Sequence, residues 1–154
     1  MRNNLIKIAL GSLALILGAL VYILIRPSSN IYFITALNLN EFNLNLSYVP
    51  AWLYSVSTGL HTFSMVLFSS IFVNATRFND LLLVLSWILI NVFFEAIQHP
   101  DIKDLLYYEL IHTDSLGYFI DNLSKGTYDS LDILSIIISG IISYFVLLIL
   151  RKKD

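Results

Sequence analysis

The sequence predicts an all-α membrane protein: four transmembrane helices in a compact bundle, forming one integral membrane domain over residues 1–154 with both termini cytoplasmic. Three observations lead there. Hydrophobic residues make up 57% of the chain and charged residues 13%, a balance foreign to a soluble domain of this length. The mean hydropathy of +0.76 says the same. Four apolar runs are long enough, at about 1.5 Å per helical residue, to cross about 30 Å of hydrocarbon. Lysine and arginine also sort to one side once those runs are threaded through a bilayer.

The first helix is expected at about residues 5–25. Arg2 and Lys7 ahead of an apolar core resemble a signal peptide, but no small-residue cleavage site follows and Arg26 closes the run, so it reads as a retained helix. An outer loop at about 26–51 contains "ALNLNEFNLNLSYVP", whose apolar and polar residues alternate as in a half-buried strand until Pro50 ends it. The second helix, about 52–73, begins at Trp52 and carries His61 in its outer half. After the short inner loop "NATRFND" comes the third helix, about 81–98. The second outer loop, about 99–130, holds "DIKDLLYYELIH", where Ile102, Leu106 and Leu110 recur every four residues beside Tyr107 and Tyr108, a pattern suited to a short interfacial helix. The fourth helix, about 131–150, completes the bundle.

Orientation follows from the cations. With both termini inside, Arg2, Lys7, Arg77, Arg151, Lys152 and Lys153 are cytoplasmic, against Arg26, Lys103 and Lys125 outside. Packing follows from the small residues, because lipid gives helices no hydrophobic reason to associate and close backbone approach must contribute. Gly11, Ala14 and Gly18 supply a face on the first helix, Ser55 and Gly59 on the second, and Ser135, Ser139, Gly140 and Ser143 on the fourth.

This topology brings polar residues of three helices to one outer-leaflet zone. Asn91, Glu95 and Gln98 share a face at spacings of four and three, with Glu95 about one turn below the surface. An ionisable group at that depth costs a few kcal/mol unless it faces protein or water, and its neighbours Phe93, Phe94 and Ile97 are apolar. Asp129 and Asp132 open the fourth helix at the spacing of an N-cap and the third helical residue, where carboxylates accept free backbone N–H groups. That structural role does not forbid a second one. Carboxyl groups gathered there can share a proton or accept a cationic partner. His61 reads first as a hydrogen-bonded packing residue, and His99 and His112 as solvated loop residues.

Several function classes are excluded. The chain has no cysteine, which rules out disulfides, thiolate chemistry and cysteine metal sites. Its net charge of −2 offers nothing to nucleic acid. There is no G-x-S-x-G, H-E-x-x-H or Walker loop, and no cofactor or metal signature is expected.

The segments "FFEAIQ" and "GTYDSLDILSIIISG" resemble the VanZ-like family of small polytopic bacterial membrane proteins over about residues 50–145. Members typically carry a Glu-x-x-Gln near the outer end of one helix and a Gly-Arg-x-x-Asp-x-x-Asp-like run opening the next. Glu95 and Gln98 match the first element, and Gly126, Asp129 and Asp132 the second. Thr127 stands where many members have arginine, so the acids lack that neutralising charge. The spacer from Gln98 to Asp129 is longer than usual, and the asparagine and glycines that members carry further along the last helix are replaced or shifted around Ile136, Ser139 and Gly140. The resemblance implies a cell-envelope role in the bacterial cytoplasmic membrane and no settled activity.

Two functions compete. In the preferred one, the outer polar site of Glu95, Gln98, Asp129, Asp132, His61 and Asn91 binds a lipid head group, a lipid-linked envelope precursor or a partner protein. In the alternative, the chain is an intramembrane enzyme with Glu95 as acid or base, helped by His61 and an aspartate or by a divalent metal held by the carboxylates.

Overall fold

The computed structural model describes residues 2–25, 49–74, 76–102, 104–105 and 128–152. Its long helices are α1 (Arg2–Leu24), α2 (Ala51–Ser69), α3 (Arg77–Ile97) and α4 (Ser130–Arg151), with no strand among the described residues. Three of them, α1, α3 and α4, are long and apolar enough to cross a membrane, and they mark the chain as a membrane protein.

Burial is inverted relative to a soluble fold. The large exposed side chains on these three helices are mostly leucine, isoleucine and phenylalanine, including Ile16 at 58%, Leu89 at 68% and Ile149 at 56%. Buried side chains across the four helices include Ser57, Thr62, Ser64, Asp80, Glu95, Asp132 and Ser143. A surface this apolar belongs against hydrocarbon rather than water.

Helix α2 differs because of where it sits. It packs on α1 along one side and on α4 along the other, while α4 also packs on α3. Of its described side chains only Trp52 and His61 are exposed. A helix shielded in this way can carry Ser55, Ser57, Thr58, Thr62 and Ser64, because protein rather than lipid surrounds them. That polar content is why α2, at 19 residues long enough to cross, alone of the four falls short of the hydropathy of a free-standing span.

Glycines set the spacing between these helices. A Cβ on Gly59 would overlap Ser135 Oγ and lie 3.1 Å from the Ser135 carbonyl oxygen, so α2 and α4 touch backbone to backbone. Gly11 and Gly18 of α1 face Phe68 and the Ser57 carbonyl of α2, and Gly140 of α4 faces Ile88 of α3. Ser64 Oγ donates to the Gly11 carbonyl at 2.7 Å, a hydrogen bond that this closeness makes available.

The helices alternate in direction, and polar contacts tie their ends at one side. Asn3 Nδ2 of α1 donates to the Leu150 carbonyl of α4 at 2.9 Å. Buried Lys7 donates through Nζ to the Ser70 carbonyl at 3.2 Å, placing a cation at the negative end of α2. Asp80, in the first turn of α3, forms an ion pair with Arg151 in the last turn of α4. Above these contacts the apolar core of Val66, Leu67, Val84 and Leu147 fills the same half of the molecule, with Phe63, Trp87 and Tyr144 packed against it.

Helix ends differ from the sequence expectation for identifiable reasons. The first and fourth, expected at 5–25 and 131–150, include polar flanks that continue the same helices. The second, expected at 52–73, stops at Ser69. Ser70 Oγ bonds back to the Leu67 carbonyl, and turns carry the chain through Phe72, which is 88% exposed. The third, expected at 81–98, starts at Arg77 because Thr76 caps it, accepting from Asn79 N at 3.1 Å. The strand-like alternation in 36–50 falls mostly outside the described residues. Of the segment expected to form an interfacial helix, 101–112, residues 101–102 and 104–105 are helical and 103 and 106–112 lie outside the described residues.

Two outcomes follow from this packing. In mixed-micelle denaturant titrations, Gly59→Ala lowers stability by about 1–3 kcal/mol through overpacking, whereas Gly18→Ala, with neighbours at 3.3 Å and beyond, costs less. Asp80→Ala costs about 3 kcal/mol, near the lower end for breaking a buried pair because Arg151 keeps 22% of its side chain exposed. An Asp80→Leu/Arg151→Leu double variant is less destabilised than Asp80→Ala.

Candidate functional site

At the end opposite the ion pair, three helices bring polar groups to one level. The ring of His99, just beyond α3, meets the ring of Tyr128, just before α4, edge to face at 4.7 Å. Glu95 lies four residues before His99 and Asp132 four residues after Tyr128, so each sits about 6 Å further along its helix from that contact. The antiparallel α3–α4 register therefore sets Glu95 and Asp132 at the same depth. The same holds for α2, where Thr58 Oγ1 donates to Asp132 Oδ1 at 3.0 Å.

Asp132 is the most enclosed of these residues, at 1% exposure. It is held in place twice: by Thr58 and by its position in the first turn of α4. Asp129 is the N-cap, with Oδ1 accepting from Leu131 N at 2.9 Å. Glu95 is 8% exposed in the last turn of α3. Gln98 caps that helix, half-buried, its backbone N–H donating to the Glu95 carbonyl at 3.1 Å.

Two expected members stand apart. The Asn91 side chain folds back along its own helix, Nδ2 donating to the Trp87 carbonyl at 2.8 Å. His61 is exposed and lines a groove of about 170 Å³ with Leu15, Gly18, Ala19 and Tyr22 of α1, while the Thr58–Asp132 bond joins α2 to α4. Thus Asp132 and Thr58 are in direct contact, Glu95 shares their level, and His61 opens on the α1 side.

Chemically, buried carboxyl groups at one level, one of them bonded by the Thr58 hydroxyl, can accept hydrogen bonds or a positive charge. Among the described residues no three of His, Asp and Glu are grouped to hold a metal ion. Sequence reasoning did not single out Thr58, although a threonine beside Gly59 on the face that approaches α4 is a readable signal. Nor did it pair Asp80 with Arg151, treating the arginine only as a marker of sidedness.

Thr58→Val keeps the shape and removes the donor to Asp132. It should lower stability by about 1–2 kcal/mol, the cost of leaving a buried acceptor without that partner, and Thr58→Ser should recover most of it in the same titration. Compared with protein-family models, curated proteins and solved structures, the chain matches none.

Proposed function

We propose that the chain is a multi-pass protein of the bacterial cytoplasmic membrane with four crossings and both termini cytoplasmic. In this reading α2 is the fourth crossing, carried through the bilayer inside a sheath of α1 and α4. Alternating helix direction supports it, as does the gathering of Lys7, Arg77, Arg151 and Lys152 at one end. Single cysteines test the orientation: one at Asp101, whose side chain is 92% exposed, reacts with an impermeant maleimide from outside intact cells. One at exposed Asn74 reacts only after permeabilisation. The opposite pattern overturns the orientation.

The polar site then lies in the outer leaflet, and we propose that it binds rather than catalyses. The observation that carries this is the enclosure of Asp132, fixed by Thr58 at the depth of buried Glu95. Carboxyl groups immobilised between helices suit recognition of a positively charged or donor-rich head group, such as the amine of a lipid or of a lipid-linked envelope precursor. The Glu-x-x-Gln and Asp-x-x-Asp elements of the VanZ-like resemblance fall on these positions, which agrees with an envelope role.

Glu95→Gln keeps the shape and removes the charge. Protein extracted in native-lipid nanodiscs should carry an enriched amine-bearing lipid that Glu95→Gln loses while its melting temperature stays within a few degrees of wild type. Identical lipid profiles for the two proteins would sink the binding role of Glu95.

A further inference from the structure

We infer that the opposite end of the molecule carries a second lipid site, a seat for an anionic phospholipid between α3 and α4. A groove of about 470 Å³ lies there. Its rim carries Arg77, from the first turn of α3, with Arg151 and Lys152 at the end of α4. Its wall is Tyr144, Phe145, Leu148 and Ile149, running up α4 toward the apolar belt.

The charges are unequal in role. Asp80 offsets Arg151 through their ion pair. Arg77 and Lys152 are exposed, and neither has an acidic partner among the described residues. Two cations thus stand at a membrane-facing rim, held on separate helices by the Asp80–Arg151 clasp.

The wall decides the class of anion. A free phosphate would need only the cations. Here Phe145 and Ile149 are 58% and 56% exposed and continue directly from the rim, so a ligand with its phosphate on Arg77 and Lys152 lays an acyl chain on them. A basic groove between helices at the membrane surface is the arrangement that recognises anionic head groups. This rests on the chain being a membrane protein with this end at the bilayer surface, and is independent of any role for Glu95.

The test is native mass spectrometry of the detergent-solubilised full chain titrated with phosphatidylglycerol or phosphatidylcholine of matched acyl chains. Phosphatidylglycerol should bind more tightly. Arg77→Gln and Lys152→Gln, both at exposed positions, should each weaken it about fivefold, leaving phosphatidylcholine binding unchanged. Phe145→Ala/Ile149→Ala should weaken both lipids, and millimolar inorganic phosphate should not displace phosphatidylglycerol. Equal binding of the two lipids, or unaltered phosphatidylglycerol binding by Arg77→Gln/Lys152→Gln, overturns the site. Displacement by phosphate together with indifference to the Phe145/Ile149 change makes it a free-anion site and overturns the lipid assignment.

Discussion

Hydrocarbon offers no hydrogen bonds, so every polar group on a helix within it must be answered by protein. In the proposed four-crossing reading, the architecture depends on how α2 meets that constraint. Ser55, Ser57, Thr58, Thr62 and Ser64 would disfavour an isolated helix in lipid, but α1 and α4 cover them. Cover requires closeness, which Gly11, Gly18 and Gly59 allow. Closeness in turn brings Ser64 to the Gly11 carbonyl and Thr58 to Asp132. A single interhelical hydrogen bond in lipid is worth only about 0.6 kcal/mol on average, so shape and polar pairing must act together.

The two ends of the molecule use this scheme differently. At the basic end the apolar core of Val66, Leu67, Val84 and Leu147 is closed off by Asp80–Arg151, Asn3–Leu150 and Lys7–Ser70. Breaking a buried ion pair costs more than losing one neutral hydrogen bond, so this end fixes the relative position of the helices. At the other end the junction of α3 and α4 is built differently. The contact there is the His99–Tyr128 ring pair, and the enclosed groups are Glu95 and Asp132. The proposed binding site therefore sits where the packing is polar, on a scaffold anchored from the far side.

The helical class was legible because apolar runs of about 20 residues have few other readings. The Asp129 cap was legible too, since an aspartate three residues before Asp132 at the start of an apolar run has a local geometry of its own. The start of α3 was not: in "NATRFND" the charges resemble a loop, yet Thr76 caps a helix there, and Asp80 is buried in its first turn beside Arg151, 71 residues away. The direction in which His61 faces was not legible for a similar reason. Its depth in α2 could be counted from Trp52, but its direction around the helix depends on which neighbour covers which face. Long-range partners and helix rotation are tertiary facts, and a run of apolar residues carries little information about either.

The enclosure of α2 is the claim on which the rest stands, and a photoreactive lipid reads it directly. With a diazirine near the middle of its acyl chain, illumination of the reconstituted protein followed by peptide mapping measures which side chains meet hydrocarbon. The account requires dense labelling on α1, α3 and α4, at residues such as Ile16, Leu89 and Ile141, with 62–67 of α2 spared. Labelling of that stretch at the density of Leu89 would contradict it, because a helix open to lipid could not keep its serines and threonines, and the site built on Thr58 would lose its scaffold.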